Sequence, residues 1–120
     1  MEDAGLVIEA ELLRGNPYRI SGGHMAELKL ISPRQRQLKH LVEAALHNEL
    51  RLLEAGIRRT EQRIQEFETR HALSSAEFVS RYEQDELKET LEFVEWIGEY
   101  RLLERLREKA DILREIQFAD

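Results

Sequence analysis

The amino-acid sequence predicts an all-α protein, built as a long antiparallel helical hairpin (a coiled coil) with a short helix at its elbow. Charged residues make up 35% of the 120-residue chain and aromatic residues only 7%, a composition typical of long helices. Apolar residues recur every three or four positions over residues 46–71, as a heptad repeat requires. A helix-capping pattern follows directly, which indicates a stop and a new start. The length allows one domain at most.

The first 24 residues are predicted to be an N-terminal extension, ahead of a helical hairpin domain over residues 25–120. Asp3–Arg14 fits a short helix, whereas Leu6–Ile8 fits a strand equally well. Apolar and polar residues alternate in Ala26–Ile31, which predicts a short strand or extended arm. The extension is therefore expected to be irregular or β, and its contribution to function stays open.

The first long helix is predicted over residues 33–71. Ser32 is placed to cap it, Pro33 fits the first turn, and Gln35 completes a capping box. Gly56 lies in the middle of this helix, where glycine is less stable than alanine. We expect it at an exposed position, and the alternative is close approach of another helix. The heptad stripe and three leucines of the second long helix are predicted to form the core of the oligomer. These residues are Leu46, Leu50, Leu53, Ile57, Ile64, Phe67, Leu102, Leu106 and Leu113.

The elbow is predicted from a second capping box. Ser74 stands three residues before Glu77, so its hydroxyl can accept the Glu77 amide while the Glu77 carboxylate reaches back. Leu73 and Phe78 occupy the hydrophobic-staple positions around this box. A short helix over residues 75–84 should follow, with Phe78 and Tyr82 on one side.

The second long helix is predicted over residues 86–116, with Asp85 as its cap. Its apolar residues form two neighbouring stripes, one through Leu91 and Val94 and the other through Trp96 and Leu103. One stripe can pack on the first long helix, and the other needs a second copy of the chain or a different protein. A lone two-helix hairpin also buries little apolar area for the chain entropy that it loses. We therefore predict a homodimer, most simply an antiparallel four-helix bundle.

The net charge of −6 is unevenly distributed. Residues 33–72 carry a net charge of +2 and residues 73–120 a net charge of −6, which suits antiparallel pairing of the two arms. This distribution argues against nucleic acid as the main partner. The sequence contains neither a membrane-length apolar run nor a secretory signal, and it has no cysteine, which fits a cytoplasmic location.

Residues 83–99 contain seven acidic residues and one base. A solvated face and a patch for a basic partner are both consistent with this pattern. Trp96 and Tyr100 border the acidic face, either as interface anchors or as core residues. The predicted partner-binding residues are Glu92, Phe93, Glu95, Trp96, Glu99 and Tyr100.

Two other short patterns suggest a metal site and a DNA-binding site. Glu68-x-x-His71 matches half of a carboxylate-bundle metal motif, but a di-metal site needs a second such motif and further carboxylates. Arg34, Arg36 and Lys39 follow a possible strand and leave open a DNA-binding alternative of the ribbon-helix-helix type. The helix that follows is too long for that fold. We predict no metal, no cofactor and no enzymatic activity.

A longer pattern resembles small prokaryotic coiled-coil proteins. It consists of Phe78-x3-Tyr82-Glu83, Glu86-Leu87, Phe93-x-Glu95-Trp96-x3-Tyr100 and Leu103-x2-Leu106-x2-Lys109. In that group the pattern also follows a long charged helix and an S-x-E-F elbow. Many members carry glycine in the connection where this chain has Gln84-Asp85.

Many proteins of this group look like the antitoxin member of toxin–antitoxin pairs. The resemblance, which covers residues 33–116, implies a cytoplasmic protein that binds and neutralises a toxin-like partner encoded nearby. The alternative from the residues themselves is a structural homo-oligomeric adaptor without a toxin partner.

Overall fold

The computed structural model describes residues 7–10 and 25–118, which are mostly helical. Its elements are strands β1 (Val7–Ala10) and β2 (Leu28–Ile31) and helices α1 (Gln35–His71), α2 (Ser75–Glu83) and α3 (Leu91–Arg114). The predicted all-α class is confirmed, with one small sheet placed before the helices. Contacts divide the chain into two compact units, residues 1–44 and 45–120.

The sheet joins part of the N-terminal extension to the residues that follow it. β1 and β2 pair antiparallel, with Val7 opposite Ile31 and Ala10 opposite Leu28. Strand β2 lies within residues 26–31, where the sequence predicts a short strand or an extended arm. The alternative of a helix over residues 3–14 is wrong, because residues 7–10 are extended. The other residues of the extension lie outside the described part of the chain.

Helix α1 contains 37 residues, which corresponds to a length of roughly 56 Å. It begins two residues later than predicted, because the Ser32 hydroxyl accepts the Arg34 amide at 3.1 Å and holds a turn there. The heptad stripe is the least exposed side of the helix. Along it, Leu53, Thr60, Ile64 and Phe67 are buried, and Leu46, Leu50, Ile57 and His71 are half-buried.

Helix α1 ends at a left-handed residue, Ala72, whose φ is 50°. The Leu73 amide donates to the Glu68 carbonyl at 3.2 Å, the long-range bond of a Schellman C-cap. Such a position usually holds glycine, since a Cβ is strained at positive φ.

The predicted cap at Ser74 is confirmed, since its hydroxyl accepts the Glu77 amide at 3.2 Å. The prediction that the Glu77 carboxylate accepts the Ser74 amide is wrong, because this carboxylate accepts from Arg81 at 2.9 Å. A different carboxylate, that of Glu68, accepts the neighbouring Ser75 amide at 2.8 Å. This hydrogen bond links the last turn of α1 to the first turn of α2.

A second left-handed residue, Asp85 with φ 59°, ends α2. The Glu86 amide donates to the Arg81 carbonyl at 2.9 Å, and the chain turns sharply without glycine. The prediction that Asp85 caps a helix starting at residue 86 is therefore wrong. Thr90 is the cap of α3, and its hydroxyl accepts the Phe93 amide at 3.1 Å.

Helices α1 and α3 are joined by ion pairs on both sides of their contact. The pairs are Arg70 with Glu92, Arg63 with Glu95 and Glu99, Glu61 with Arg107, and Glu54 with Arg114. Residue numbers rise along α1 as they fall along α3, which is the order expected of antiparallel neighbours.

Candidate interaction surfaces

One aromatic residue of the predicted site, Trp96, lies in the hydrophobic core of the helices. Trp96 has no exposed surface, and its ring stacks on Phe78 with a centroid distance of 3.9 Å and an interplanar angle of 4°. Phe67 of α1 lies against Trp96 at 5.6 Å and 10°. The indole Nε1–H donates to the Ser75 hydroxyl at 2.9 Å, so its polar atom is satisfied inside the chain.

This burial favours the core interpretation of Trp96 over the interface-anchor interpretation. Phe93 is half-buried against the same cluster, as are Leu73 and Tyr82 of the predicted elbow. Leu73 and Phe78 thus share one cluster, as the staple positions require. Tyr100 is half-buried.

His71 closes the cluster at the end of α1. Its ring lies 5.4 Å from that of Trp96 and 5.2 Å from that of Phe93. Its Nε2 lies 3.1 Å from the Glu92 carboxylate, outside hydrogen-bonding geometry. Glu68 is occupied at the start of α2, and the described residues contain no group of three or more potential metal ligands. The half-motif at residues 68–71 thus takes part in packing and capping.

The acidic residues predicted to meet a partner divide into two groups. Glu92 is hydrogen-bonded to Arg70, and this bond, with the nearby His71, lowers the pKa of Glu92 below its ordinary value. Glu95 and Glu99 lie 3.7 and 3.9 Å from Arg63. These three carboxylates therefore face bases of the chain's own first helix.

The second group is exposed. Glu83, Asp85, Glu86 and Glu89 all lie at or beyond the end of α2, and Lys88 is the one base among them. Of these, Glu86 and Glu89 lie between the left-handed turn at Asp85 and the Thr90 cap of α3.

Helix α3 turns one of its two predicted apolar stripes inward. The stripe with Trp96, Ile97, Leu103 and Ala110 is buried. The other stripe is more open at its start, where Leu91 is 76% exposed and Val94 41%, and a Cβ added at Gly98 would meet no atom within 4 Å. Its later members Leu102, Leu106 and Leu113 are half-buried, whereas Ile112, which belongs to neither predicted stripe, is 55% exposed. We call this surface, formed by Leu91, Val94, Gly98, Leu102 and Ile112, the outer face of α3.

A groove of about 470 Å³ runs between α1 and α3 beside this face. Its residues are Leu52, Gly56, Arg59, Thr60, Arg63, Glu99, Leu102 and Leu106. Leu52 is 61% exposed, whereas Leu102 and Leu106 are half-buried, as is Leu113 of the predicted oligomer core.

Gly56 lies in this groove and is buried, so the prediction of an exposed position is wrong. A Cβ at this position would meet the Leu106 Cδ1 atom at 3.5 Å, an ordinary van der Waals contact. The alternative interpretation of Gly56, close approach of a second helix, therefore fits the structure better. The space at this position would still accept the side chain of alanine.

The DNA-binding alternative depends on the start of α1. Arg34, Arg36 and Lys29 are exposed, and β2, which carries Lys29, pairs with β1 of the same chain.

None of the helices that the structure describes is long and apolar enough to span a membrane.

Comparison of the chain with protein-family models, curated proteins and solved structures found no match. The antitoxin resemblance therefore stays a prediction that depends on the quoted motif alone.

Sequence reasoning missed the Ser75–Trp96 hydrogen bond and the Thr90 cap. Thr90 carried a signal, since a threonine directly before an apolar repeat is a preferred N-cap. Ser75 carried none, because a bond across 21 residues depends on tertiary packing.

Proposed function

We propose that this chain is a protein-binding module that binds and neutralises a basic partner protein, in the manner of the antitoxins that it resembles. The observation that supports this function best is the exposed acidic segment of residues 83–89. Four of its residues are acidic and one is basic, so it offers an electrostatic complement to a basic surface. We propose the same cytoplasmic, prokaryotic setting as that of the resembling proteins.

The burial of Trp96 changes which residues we assign to the contact. Glu92, Glu95 and Glu99 are already paired with arginines of α1, so a partner would have to displace those pairs. The carboxylates of Glu83, Glu86 and Glu89 are exposed and need no such exchange. Glu86 and Glu89 lie in the short connection between the end of α2 and the Thr90 cap of α3.

The experiment is co-expression of the chain with the product of the neighbouring gene, followed by co-purification and a binding measurement. The variant Glu86→Lys/Glu89→Lys should weaken binding by roughly tenfold or more, and added salt should weaken wild-type binding. The matched control is Glu49→Lys/Glu66→Lys, which reverses two exposed charges on α1, away from the acidic segment and from the outer face of α3. No co-purification, or equal loss in both variants, would contradict the proposal.

A structural homo-oligomer is the second candidate function. It is favoured by the outer face of α3, which leaves Leu91 76% and Ile112 55% exposed along one helix. Solvent-exposed leucine and isoleucine are individually common, so the support comes from Leu91, Val94 and Ile112 sharing one side of α3. A gene without a toxin-like neighbour, together with a stable dimer, would favour this function over the first.

A further inference from the structure

We infer that the outer face of α3 binds the same face of a second copy of the chain in antiparallel orientation, with Leu102 at the two-fold axis. This inference depends on the self-association proposed above and is independent of the basic partner. The open stripe already described supplies the apolar part of the contact, and the charges of α3 fix its direction.

The apolar residues of the outer face lie towards its two ends. At 3.6 residues per turn, Leu91, Val94 and Gly98 follow one side of the first half, and Ile112 continues that side near the C-terminus. Arg105 and Lys109 lie between these groups and are exposed. An antiparallel copy centred on Leu102 places Leu91 beside Ile112 of the second copy, and the reverse contact follows by symmetry.

The charges of α3 separate along the helix. Residues 91–100 contain three acids and no base, whereas residues 101–114 contain five bases and three acids. A parallel copy would therefore place acids against acids. The antiparallel copy places Glu95 opposite Lys109 of the second copy. The Glu95 carboxylate lies 3.7 Å from Arg63, but its side chain is 48% exposed, so it can face both bases and the pair with Arg63 need not break. Arg101 then lies beside Glu104 of the second copy, so both sides of the contact pair opposite charges.

The groove between α1 and α3 adjoins this surface through Leu102, which belongs to both. A second copy on the outer face would also cover the groove side of Leu102, which is half-buried in the single chain. Each copy would then contribute α1 and α3 to a bundle of four long helices.

Cysteine cross-linking tests the register directly, because the chain contains no cysteine of its own. The variant Leu102→Cys should form a disulfide-linked dimer under mild oxidation, since two copies of this position meet at the axis. Leu91→Cys alone should stay unlinked, because the two copies of residue 91 lie about 33 Å apart along the helices. An oxidised mixture of Leu91→Cys and Ile112→Cys should give the mixed dimer.

A charge-exchange series provides a second measurement by analytical ultracentrifugation. Glu95→Lys and Lys109→Glu should each raise the dimer dissociation constant by roughly three- to tenfold, and the double variant should recover most of the loss. Val94→Glu should give a monomer with unchanged helix content, because Val94 is 41% exposed and does not support the internal core.

A wild-type monomer at all accessible concentrations would overturn both this inference and the self-association proposed above. A dimer in which Leu91→Cys links to itself would overturn the antiparallel register only. Neither result bears on binding of the basic partner, which is measured separately.

Discussion

The hydrogen bond between Trp96 and Ser75 should be a measurable part of the stability of this fold. The indole Nε1–H lies 2.9 Å from the Ser75 hydroxyl, and Ser75 and Trp96 are 5% and 0% exposed. Ser75→Ala removes the acceptor and leaves the indole N–H buried without a partner. Because a buried unsatisfied donor costs about 1–3 kcal/mol, the variant should lose that amount of unfolding free energy.

The assay is urea denaturation followed by circular dichroism at one fixed protein concentration, since self-association makes stability concentration-dependent. Trp96 is the only tryptophan of the chain, so its fluorescence reports the same site in parallel. The matched control is Ser80→Ala on the same helix. Ser80 is exposed and accepts only from the Gln84 side chain at 3.3 Å, so its loss should cost less than about 0.5 kcal/mol.

A double-mutant cycle isolates the interaction. In a Trp96→Phe background the indole donor is gone, so Ser75→Ala should cost little there, and the coupling energy should be about 1–3 kcal/mol. Equal costs of Ser75→Ala in both backgrounds would refute the reasoning, because the serine would then act through α2 alone.

Three further predictions concern the backbone and the ion pairs. Gly56→Ala should stabilise the fold by about 1 kcal/mol in urea denaturation, because the added Cβ makes an ordinary contact with Leu106; a loss of stability would show that the helices need a closer approach. Ala72→Gly should stabilise by about 0.5–1 kcal/mol because φ is positive there, and an unchanged denaturation midpoint would contradict that strain. Arg70, and after it His71, lower the pKa of Glu92 in the folded state. The ionised carboxylate therefore stabilises the fold at pH values above its unfolded-state pKa. This contribution is lost as the pH falls through the lower folded-state pKa. The stability difference between wild type and Glu92→Gln should therefore be largest near neutral pH and vanish in acid, whereas a pH-independent difference would contradict the pairing.

Local signals in the sequence predicted the helices well. The heptad stripe of α1 is its least exposed side, and Ser74 caps α2 as expected, because both depend on residues within one or two turns of each other. The start of α3 was misplaced by five residues. A left-handed aspartate at residue 85 made a turn that usually needs glycine, and no local pattern predicts that strain.

The spacing of apolar residues was enough to predict two long amphipathic helices, and both form. Which of the two apolar stripes of α3 turns inward depends instead on packing between distant parts of the chain. Trp96 fits between Phe67 and Phe78 and finds a hydrogen-bond acceptor in Ser75, so the stripe with the large aromatic residue is buried. Helical periodicity fixes which residues share a face, but the choice between two apolar faces depends on shape and polar partners contributed by distant parts of the chain.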